Sequence, residues 1–252
     1  MTSTYGPATP FVHLFLRAAW QRTGPGLVQV LADSPPGRVL DLGSGTGAAL
    51  PWIAAAAPGR DLLAVEPEEG LRAVLLALVA GDDGLRPRVT VLDGTFPRDP
   101  LPTDLAAVVV GNALGHFDPA QRDEFWRQCA QVLPAGGRVL VDVAAHEDPS
   151  PSPEAPGAVP VQVGRRRYEA WATCDVTGLQ TVRWRMRYQV LEPTTGADGG
   201  DRVIEERVAS YDWWVVGPRR VRTEAAAHGL VPAAPAAPEG CLLLEKGRRA
   251  RR

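Results

Sequence analysis

The sequence predicts an α/β fold: a doubly wound, mostly parallel sheet with an N-terminal helical segment and an antiparallel β insert. Two observations support it. Up to Val143, short apolar runs of strand length alternate with stretches of helical composition, which indicates βαβ units. Farther along the chain, between Val182 and Val190, apolar and polar residues alternate strictly, the two-residue period of antiparallel strands with one solvated face.

Five runs have the β-branched or leucine-rich composition of buried parallel strands. Stretches of helical composition such as "PEEGLRAVLLALVAG" and "DPAQRDEFWRQCAQVL" separate them. A parallel sheet with covering helices accounts for both features. The predicted strands are Val39–Leu42, Leu62–Val65, Val89–Leu92, Leu105–Val110 and Val139–Val143.

The flanking segments have other patterns. Near the N-terminus, "FVHLFLRAAW" and "GLVQVLAD" predict helices, and the proline-rich "AAHEDPSPSPEAPGAVP" predicts a loop or mobile flap. "RYEAWATCDV", "QTVRWRMRYQVL" and "RVIEERVASYDWWVV" predict a meander with the turns "TGL" and "EPTTGADGGD". "PRRVRTEAAAHGL" predicts a final helix, and "CLLLEK" a final strand.

Composition limits the partners, the redox compartment and the location that we expect for the protein. The chain of 252 residues is 45% hydrophobic and has a net charge of −2, so we expect one core and no nucleic-acid partner. Cys129, Cys174 and Cys241 are odd in number and lack metal-ligand spacing, which favours a reducing compartment without disulfides or a bound metal. The apolar run "FVHLFL" is too short to span a membrane. We therefore expect a cytoplasmic protein, monomeric or homodimeric, with no membrane partner.

The stretch "VLDLGSGTGAAL" predicts a ligand-binding turn between a strand and a helix. Gly43, Gly45 and Gly47 would let the backbone approach a ligand and aim helix N-terminal amides at it. Two ligands fit. Gly43, Gly45 and Ala48 satisfy the dinucleotide fingerprint G-x-G-x-x-G/A, whereas Asp41 would repel a pyrophosphate and suit a positively charged ligand.

Glu66 ends the second predicted strand, about twenty residues after the loop. A carboxylate at that position reaches the ribose hydroxyls in nucleotide-binding βαβ units. Glu66 therefore predicts a nucleoside in the ligand and does not choose between a dinucleotide and a positively charged nucleoside.

Five segments in order resemble the class I S-adenosylmethionine-dependent methyltransferases of the small-molecule type. "LDLGSGTG" is similar to the family's glycine-rich first motif, "LLAVEP" to its second-strand acidic site, and "VTVLDGTF" to its third-strand motif. "LAAVVVGNALGHF" and "LPAGGRVLVDV" resemble the fourth and fifth strand segments. The resemblance implies a Rossmann-like core and S-adenosylmethionine, which carries an ammonium and a sulfonium group, as the cofactor.

The resemblance also implies which residues bind each part of that cofactor. The residues carried over are Asp41, Gly43, Ser44, Gly45 and Gly47 for the methionine moiety, Glu66 for the ribose, Asp93, Gly94 and Thr95 for the adenine, and Asn112 and Ala113 beside the sulfonium.

His116 is the candidate general base, because it follows the fourth strand, whose carboxyl end faces the crevice in doubly wound sheets. A capping or solvent-facing histidine is the alternative. Aromatic residues at strand spacing are more often core than pocket, but some are expected to reach the acceptor. The candidate substrate-binding residues are Tyr5, His13, Trp171, Trp184 and Tyr211.

We expect three parts: an N-terminal helical lid (1–36), a Rossmann-like cofactor-binding core (37–145 and 217–247), and a flap with an antiparallel insert over the substrate site (146–216). The expected function is methyl transfer to the N or O atom of a small, partly apolar metabolite, as in natural-product biosynthesis. One alternative is a protein of this fold that binds the cofactor but catalyses a non-methylating reaction such as cyclisation. An NAD-dependent oxidoreductase is the other, weakened by Asp41. The sequence does not identify the acceptor.

Overall fold

A computed structural model describes residues 5–194 and 200–247, which contain five α-helices and twelve strands. Two short 3₁₀ turns, Gly6–Ala8 and Leu114–His116, complete the regular elements. The helices are α1 (Thr9–Ala32), α2 (Leu50–Ala56), α3 (Glu69–Gly81), α4 (Pro119–Val132) and α5 (Pro218–Ala227), and the strands are β1 (Arg38–Leu42), β2 (Leu62–Val65), β3 (Val89–Leu92), β4 (Leu105–Val110), β5 (Arg138–Asp142), β6 (Ser152–Pro156), β7 (Val161–Val163), β8 (Arg166–Val176), β9 (Thr181–Pro193), β10 (Asp201–Trp214), β11 (Leu230–Pro232) and β12 (Cys241–Lys246).

The first sheet has the order β11-β12-β5-β4-β1-β2-β3 in the described chain. Strands β1 to β5 are parallel, and β12 runs antiparallel to β5 and β11. The five predicted parallel strands are confirmed to within one residue at each end, and so is the predicted fold class. β11 was missed because it is short, contains a proline, and buries only Leu230. The strand order reverses between β1 and β4, which places a crevice outside their carboxyl ends.

The second sheet has the order β10-β9-β8-β6, with β7 paired to β8. β8, β9 and β10 confirm the predicted meander, although residues 195–199 of its second turn lie outside the described residues. The loop predicted for the proline-rich segment is wrong in part, because Ser152–Pro156 forms an edge strand on β8. An edge strand tolerates proline, which lacks a backbone donor, better than a central strand does.

The two helices predicted near the N-terminus are one continuous helix, α1, with Pro25 in its interior. Trp20, Leu27 and Leu31 are buried against the first sheet and lie on one helical face, seven and four residues apart. The apolar face therefore continues past Pro25, and its burial offsets the hydrogen bond that proline removes.

Helices cover both faces of the first sheet. α1 and α2 pack on the face that carries Val39, Val109 and Leu140. α4 and α5 pack on the other face, against Leu40 and Val108 among others. Because side chains alternate along a strand, Asp41 and Asp142 point to the same face as Val39 and Leu140, the face under α1.

α4 and α5 are joined by a buried ion pair. Arg122 is 1% exposed, and its guanidinium donates to Glu224 at 2.9 and 3.0 Å. It also donates to the Phe117 carbonyl, and Trp126 Nε1 donates to Glu224 at 3.2 Å. Removing Glu224 would leave a buried charge without its counter-ion.

We expect Glu224→Ala to lower the free energy of unfolding by about 3–5 kcal/mol, the usual cost of breaking a buried ion pair from one side. Urea denaturation measures it. The matched control is Asp212→Ala, which removes an exposed partner of Arg183 and should cost at most about 1 kcal/mol. Equal losses in the two variants would contradict this account.

Candidate active site

In the glycine loop between β1 and α2, three backbone N–H groups donate hydrogen bonds to other groups of the protein. The N–H groups of Gly43 and Ser44 both donate to the Val65 carbonyl at 2.9 Å. The Gly45 N–H donates to Glu66 Oε2 at 2.7 Å. A pyrophosphate site needs such amides free to donate to phosphate oxygens. These three are bonded to β2 and its end instead.

The loop glycines are required by conformation. Gly43, Gly45 and Gly47 have φ of 77°, 56° and 79°, in the left-handed region. A Cβ on Gly43 would also lie 2.6 Å from the Ala113 Cβ. α2 begins at Leu50, three residues after Gly47, and the expectation that its N-terminal amides point at the ligand stays a prediction.

Asp41 is a buried acid with an unpaired oxygen. Its residue is 3% exposed, and among the described residues Oδ2 has no hydrogen-bond partner. Burial raises the pKa of this carboxyl to about 7, a bond from Ser44 opposes the shift, and the nearby Glu66 adds to it. A buried carboxylate without a partner is costly, and a cation placed beside it would recover that cost.

Glu66 links the loop to the end of β2. Its carboxylate accepts from the Gly45 N–H at 2.7 Å and from the Glu68 N–H at 2.8 Å. Burial raises its pKa, and these two backbone bonds oppose the shift. Arg72 donates to the Glu66 carbonyl at 2.9 Å and lies 3.3 Å from Asp93 Oδ1. One arginine thus joins the ends of β2 and β3.

The segment after β3 is exposed at Asp93 and buried at Gly94. A Cβ on Gly94 would lie 3.1 Å from Val65 Cγ1, so glycine allows this close approach. The Thr95 N–H donates to Asp99 at 2.8 Å and is therefore occupied within its own loop. The Asp93 carboxylate remains as the accessible polar group of the segment.

After β4 the chain turns sharply at Asn112, which has a φ of 54°, unusual for a residue other than glycine. This conformation directs its N–H to Asp142 Oδ1 at 2.9 Å. Burial raises the pKa of Asp142 to about 6, and the bond from Asn112 opposes the shift. Sequence reasoning missed Asp142, although it follows an apolar strand in the same way as Asp41 and Glu66.

His116 lies in a group of aromatic rings. Its Nε2 is 3.1 Å from the Tyr5 hydroxyl oxygen, and its ring centroid is 4.7 Å from that of Trp213 and 5.8 Å from that of Tyr211. A Cβ on Gly115 would lie 1.9 Å from Trp213, so β10 packs directly on the turn that carries His116. The structure therefore joins the N-terminal segment, the turn after β4 and the insert at one place.

The surrounding protein sets the protonation of this group. Desolvation lowers the pKa of His116, although the side chain remains open to solvent. Burial raises the pKa of Tyr211 to about 12 and also raises that of Tyr5. At neutral pH the imidazole is therefore neutral, and both tyrosines keep their protons.

The predicted substrate-binding aromatics separate onto the two faces of the insert. Trp184 pairs with Tyr211 across β9 and β10 and lies on the face that packs with Trp213. Trp171 lies on the opposite face, where it pairs with Arg187 and stacks under its guanidinium at 5.4 Å. The structure does not bring Trp171 to His116, because neighbouring strand residues alternate between faces.

His13 connects α1 to the glycine loop. Its Nδ1 lies 3.0 Å from Thr46 Oγ1, and burial, with Arg17 nearby, lowers its pKa. α1 therefore contacts the loop directly.

Some features are absent from the part of the chain that the structure describes. No helix there combines the length and apolarity needed to cross a membrane. Nor do three or more His, Cys, Asp or Glu side chains come together there in a way that could hold a metal ion.

Comparison with known proteins agrees with this geometry. Residues 39–137 match the family model described as a methyltransferase domain. Acetylserotonin O-methyltransferase of Mus musculus is 35% identical over 130 residues, 50% of this chain and 33% of that protein. Demethylspheroidene O-methyltransferase of Cereibacter sphaeroides is 32% identical over 159 residues, 63% of this chain and 38% of that protein. The matches thus span about a third of the length of these relatives.

A solved structure is similar over nearly the whole chain. CalS10, an amino pentose methyltransferase from Micromonospora echinaspora solved with S-adenosylmethionine, has a TM-score of 0.67 at 16% identity and covers 98% of both chains. At that identity the likeness shows the fold. Together with the family match, it confirms the resemblance drawn from the sequence.

The unpaired Asp41 carboxyl predicts a pH-dependent stability. The folded protein holds this proton up to about pH 7, whereas the unfolded chain releases it near the ordinary value of 3.8. Stability therefore falls as pH rises between these values. Asp41→Asn removes that loss, so we expect it to stabilise the ligand-free protein by up to about 4 kcal/mol near pH 8.

Urea denaturation of both proteins near pH 8 and near pH 3 measures the difference. It should vanish at the lower pH, where the wild-type carboxyl is protonated in both states. A variant less stable than the wild type at the higher pH would mean that the Asp41 carboxylate has a favourable partner.

Proposed function

We propose, from the match of residues 39–137 to the methyltransferase-domain model, that the protein transfers a methyl group from S-adenosylmethionine. The acceptor is a nitrogen or oxygen atom of a small, partly apolar metabolite. Two observations carry the proposal: the buried Asp41 carboxyl has an oxygen, Oδ2, without a partner among the described residues, and the amides of the glycine loop are already bonded. This combination suits a cation and disfavours the pyrophosphate of NAD.

Residues at the ends of different strands would bind different parts of the cofactor. Asp41 and the loop would face the positively charged methionine end, and Glu66 has lone pairs left for ribose hydroxyls after accepting its two backbone bonds. Asp93 would accept from the adenine amino group. Asn112 and Ala113 would lie beside the sulfonium. When bound, the cofactor supplies an electrophilic methyl carbon on a positively charged sulfur.

The aromatic group around His116 performs the remaining tasks. Tyr5, Tyr211 and Trp213 exclude water from the acceptor and orient it. His116 takes the proton that a hydroxyl or ammonium acceptor gives up. In the tautomer in which Nε2–H donates to the Tyr5 hydroxyl oxygen, Nδ1 is unprotonated and is the nitrogen that receives the proton.

We expect S-adenosylmethionine to bind and NAD not to bind, because the site presents carboxylates where a pyrophosphate would lie. Calorimetry with both ligands measures it. Glu66→Ala should weaken S-adenosylmethionine binding by about 1–3 kcal/mol, through lost hydroxyl contacts to a charged acceptor. The exposed neighbour Glu69 provides the control, since Glu69→Ala should leave the affinity unchanged. Binding of NAD alone would overturn the proposed function.

We expect His116→Ala to reduce turnover about a hundredfold or more at neutral pH with little change in cofactor affinity, the usual scale for a lost general base. Because the pKa of His116 is lowered, the wild-type rate should fall only below about pH 6.5, and this acid limb should be absent in the variant.

Formation of S-adenosylhomocysteine with a panel of amine and phenol acceptors measures turnover. His228→Ala is the matched control, because His228 bonds to Asp123 on the surface and should retain wild-type activity. If His116→Ala keeps most of its activity, alignment and desolvation suffice for transfer and His116 is not the base.

A further inference from the structure

A second feature adjoins the proposed cofactor site: a cavity of about 270 Å³ at the carboxyl ends of β4 and β5, beneath α1. Apolar and aromatic groups form much of its wall, and a few polar side chains converge on it. Those that matter for binding are Trp20, Thr23, Asn112, Asp142, Glu239 and Cys241.

The cavity has an acidic lining. Two carboxyl groups, those of Asp142 and Glu239, line it, and none of the described residues around it is Lys, Arg or His. The Cys241 thiol adds no charge at neutral pH, because burial raises its pKa to about 11. A cation would therefore be favoured there over a neutral or anionic group.

Asp142 is held in place to meet such a cation. Its Oδ1 accepts the Asn112 N–H at 2.9 Å, which fixes the carboxylate between the ends of β4 and β5. No basic side chain makes a salt bridge with it in the described ranges 5–194 and 200–247. At neutral pH it carries a negative charge, since its pKa is about 6.

Trp20 contributes an aromatic part of the cavity lining. Trp20 packs so closely on the end of β4 that a Cβ on Gly111 would lie 2.6 Å from its ring. The indole is 9% exposed and is held by the α1 core. Its rigid face and a carboxylate together match an amine on a small ring or aliphatic body, by apolar contact and cation–π attraction.

We propose that this cavity binds the protonated amino group of the methyl acceptor, with Asp142 as its counter-ion and Trp20 against the adjacent apolar body. The substrate class is then a small organic amine. This inference rests on the proposed function, because the cavity shares Asn112 with the proposed sulfonium end of the cofactor site. Asp142 acts in binding and specificity, and the atom that is methylated is a separate nitrogen or oxygen of the same molecule, which His116 deprotonates.

Cyclohexylamine and cyclohexanol test the inference, because they share a ring that fits the cavity and differ in charge. We expect wild-type protein to bind the amine at least about tenfold more tightly than the alcohol, as measured by calorimetry with S-adenosylmethionine present. Asp142→Asn keeps an oxygen for the Asn112 N–H but loses the charge, and Glu239, the other carboxyl, is exposed to solvent, so the preference should disappear. Asp212→Asn, which removes an exposed carboxylate elsewhere, should keep it.

Ala19→Phe fills the cavity from α1 and should abolish binding of both compounds without weakening S-adenosylmethionine binding. Equal binding of the two compounds to the wild type, no binding of either, or a preference that survives Asp142→Asn would overturn the inference. The affinity for S-adenosylmethionine, measured in the same samples, separates the inference from the proposed function. If the wild type does not bind S-adenosylmethionine, the proposed function itself is overturned.

Discussion

The site depends on acids at the carboxyl edge of a parallel sheet. Asp41 and Glu66 are buried and Asp142 is half-buried, all three lie at or next to the ends of strands, and desolvation raises the pKa of each. Glu66 is stabilised by two backbone amides and Asp142 by one, whereas Asp41 keeps an oxygen without a partner. The fold thus accepts an electrostatic cost that a positively charged ligand would remove.

Other elements follow from this constraint. The glycine loop bonds its amides to β2, which removes the positive potential that free amides would create beside the acids. α1 covers the loop through His13 and Thr46, and β10 packs Trp213 on the turn that carries His116. The insert and the N-terminal segment therefore meet where the strand order of the main sheet reverses.

The sequence was sufficient for features set by local pattern. The parallel strands are continuous apolar runs, the meander alternates with a period of two, and acids after strand ends are visible by position. It was insufficient for features that tertiary contacts determine. The α1 core outweighs Pro25, the edge position admits prolines into β6, and the pairing register places Trp171 and Trp184 on opposite faces. The meeting of Tyr5, His116 and Trp213 joins segments about a hundred residues apart and has no local signature.

Proton release on cofactor binding tests the central claim most directly. If a cation approaches the unpaired Asp41, its pKa of about 7 in the free protein must fall, and the carboxyl must lose its proton. Calorimetry of S-adenosylmethionine binding near pH 6, in buffers of different ionisation enthalpy, should show release of most of one proton, absent in Asp41→Asn. Binding without proton release, or with the same release in that variant, would contradict the account.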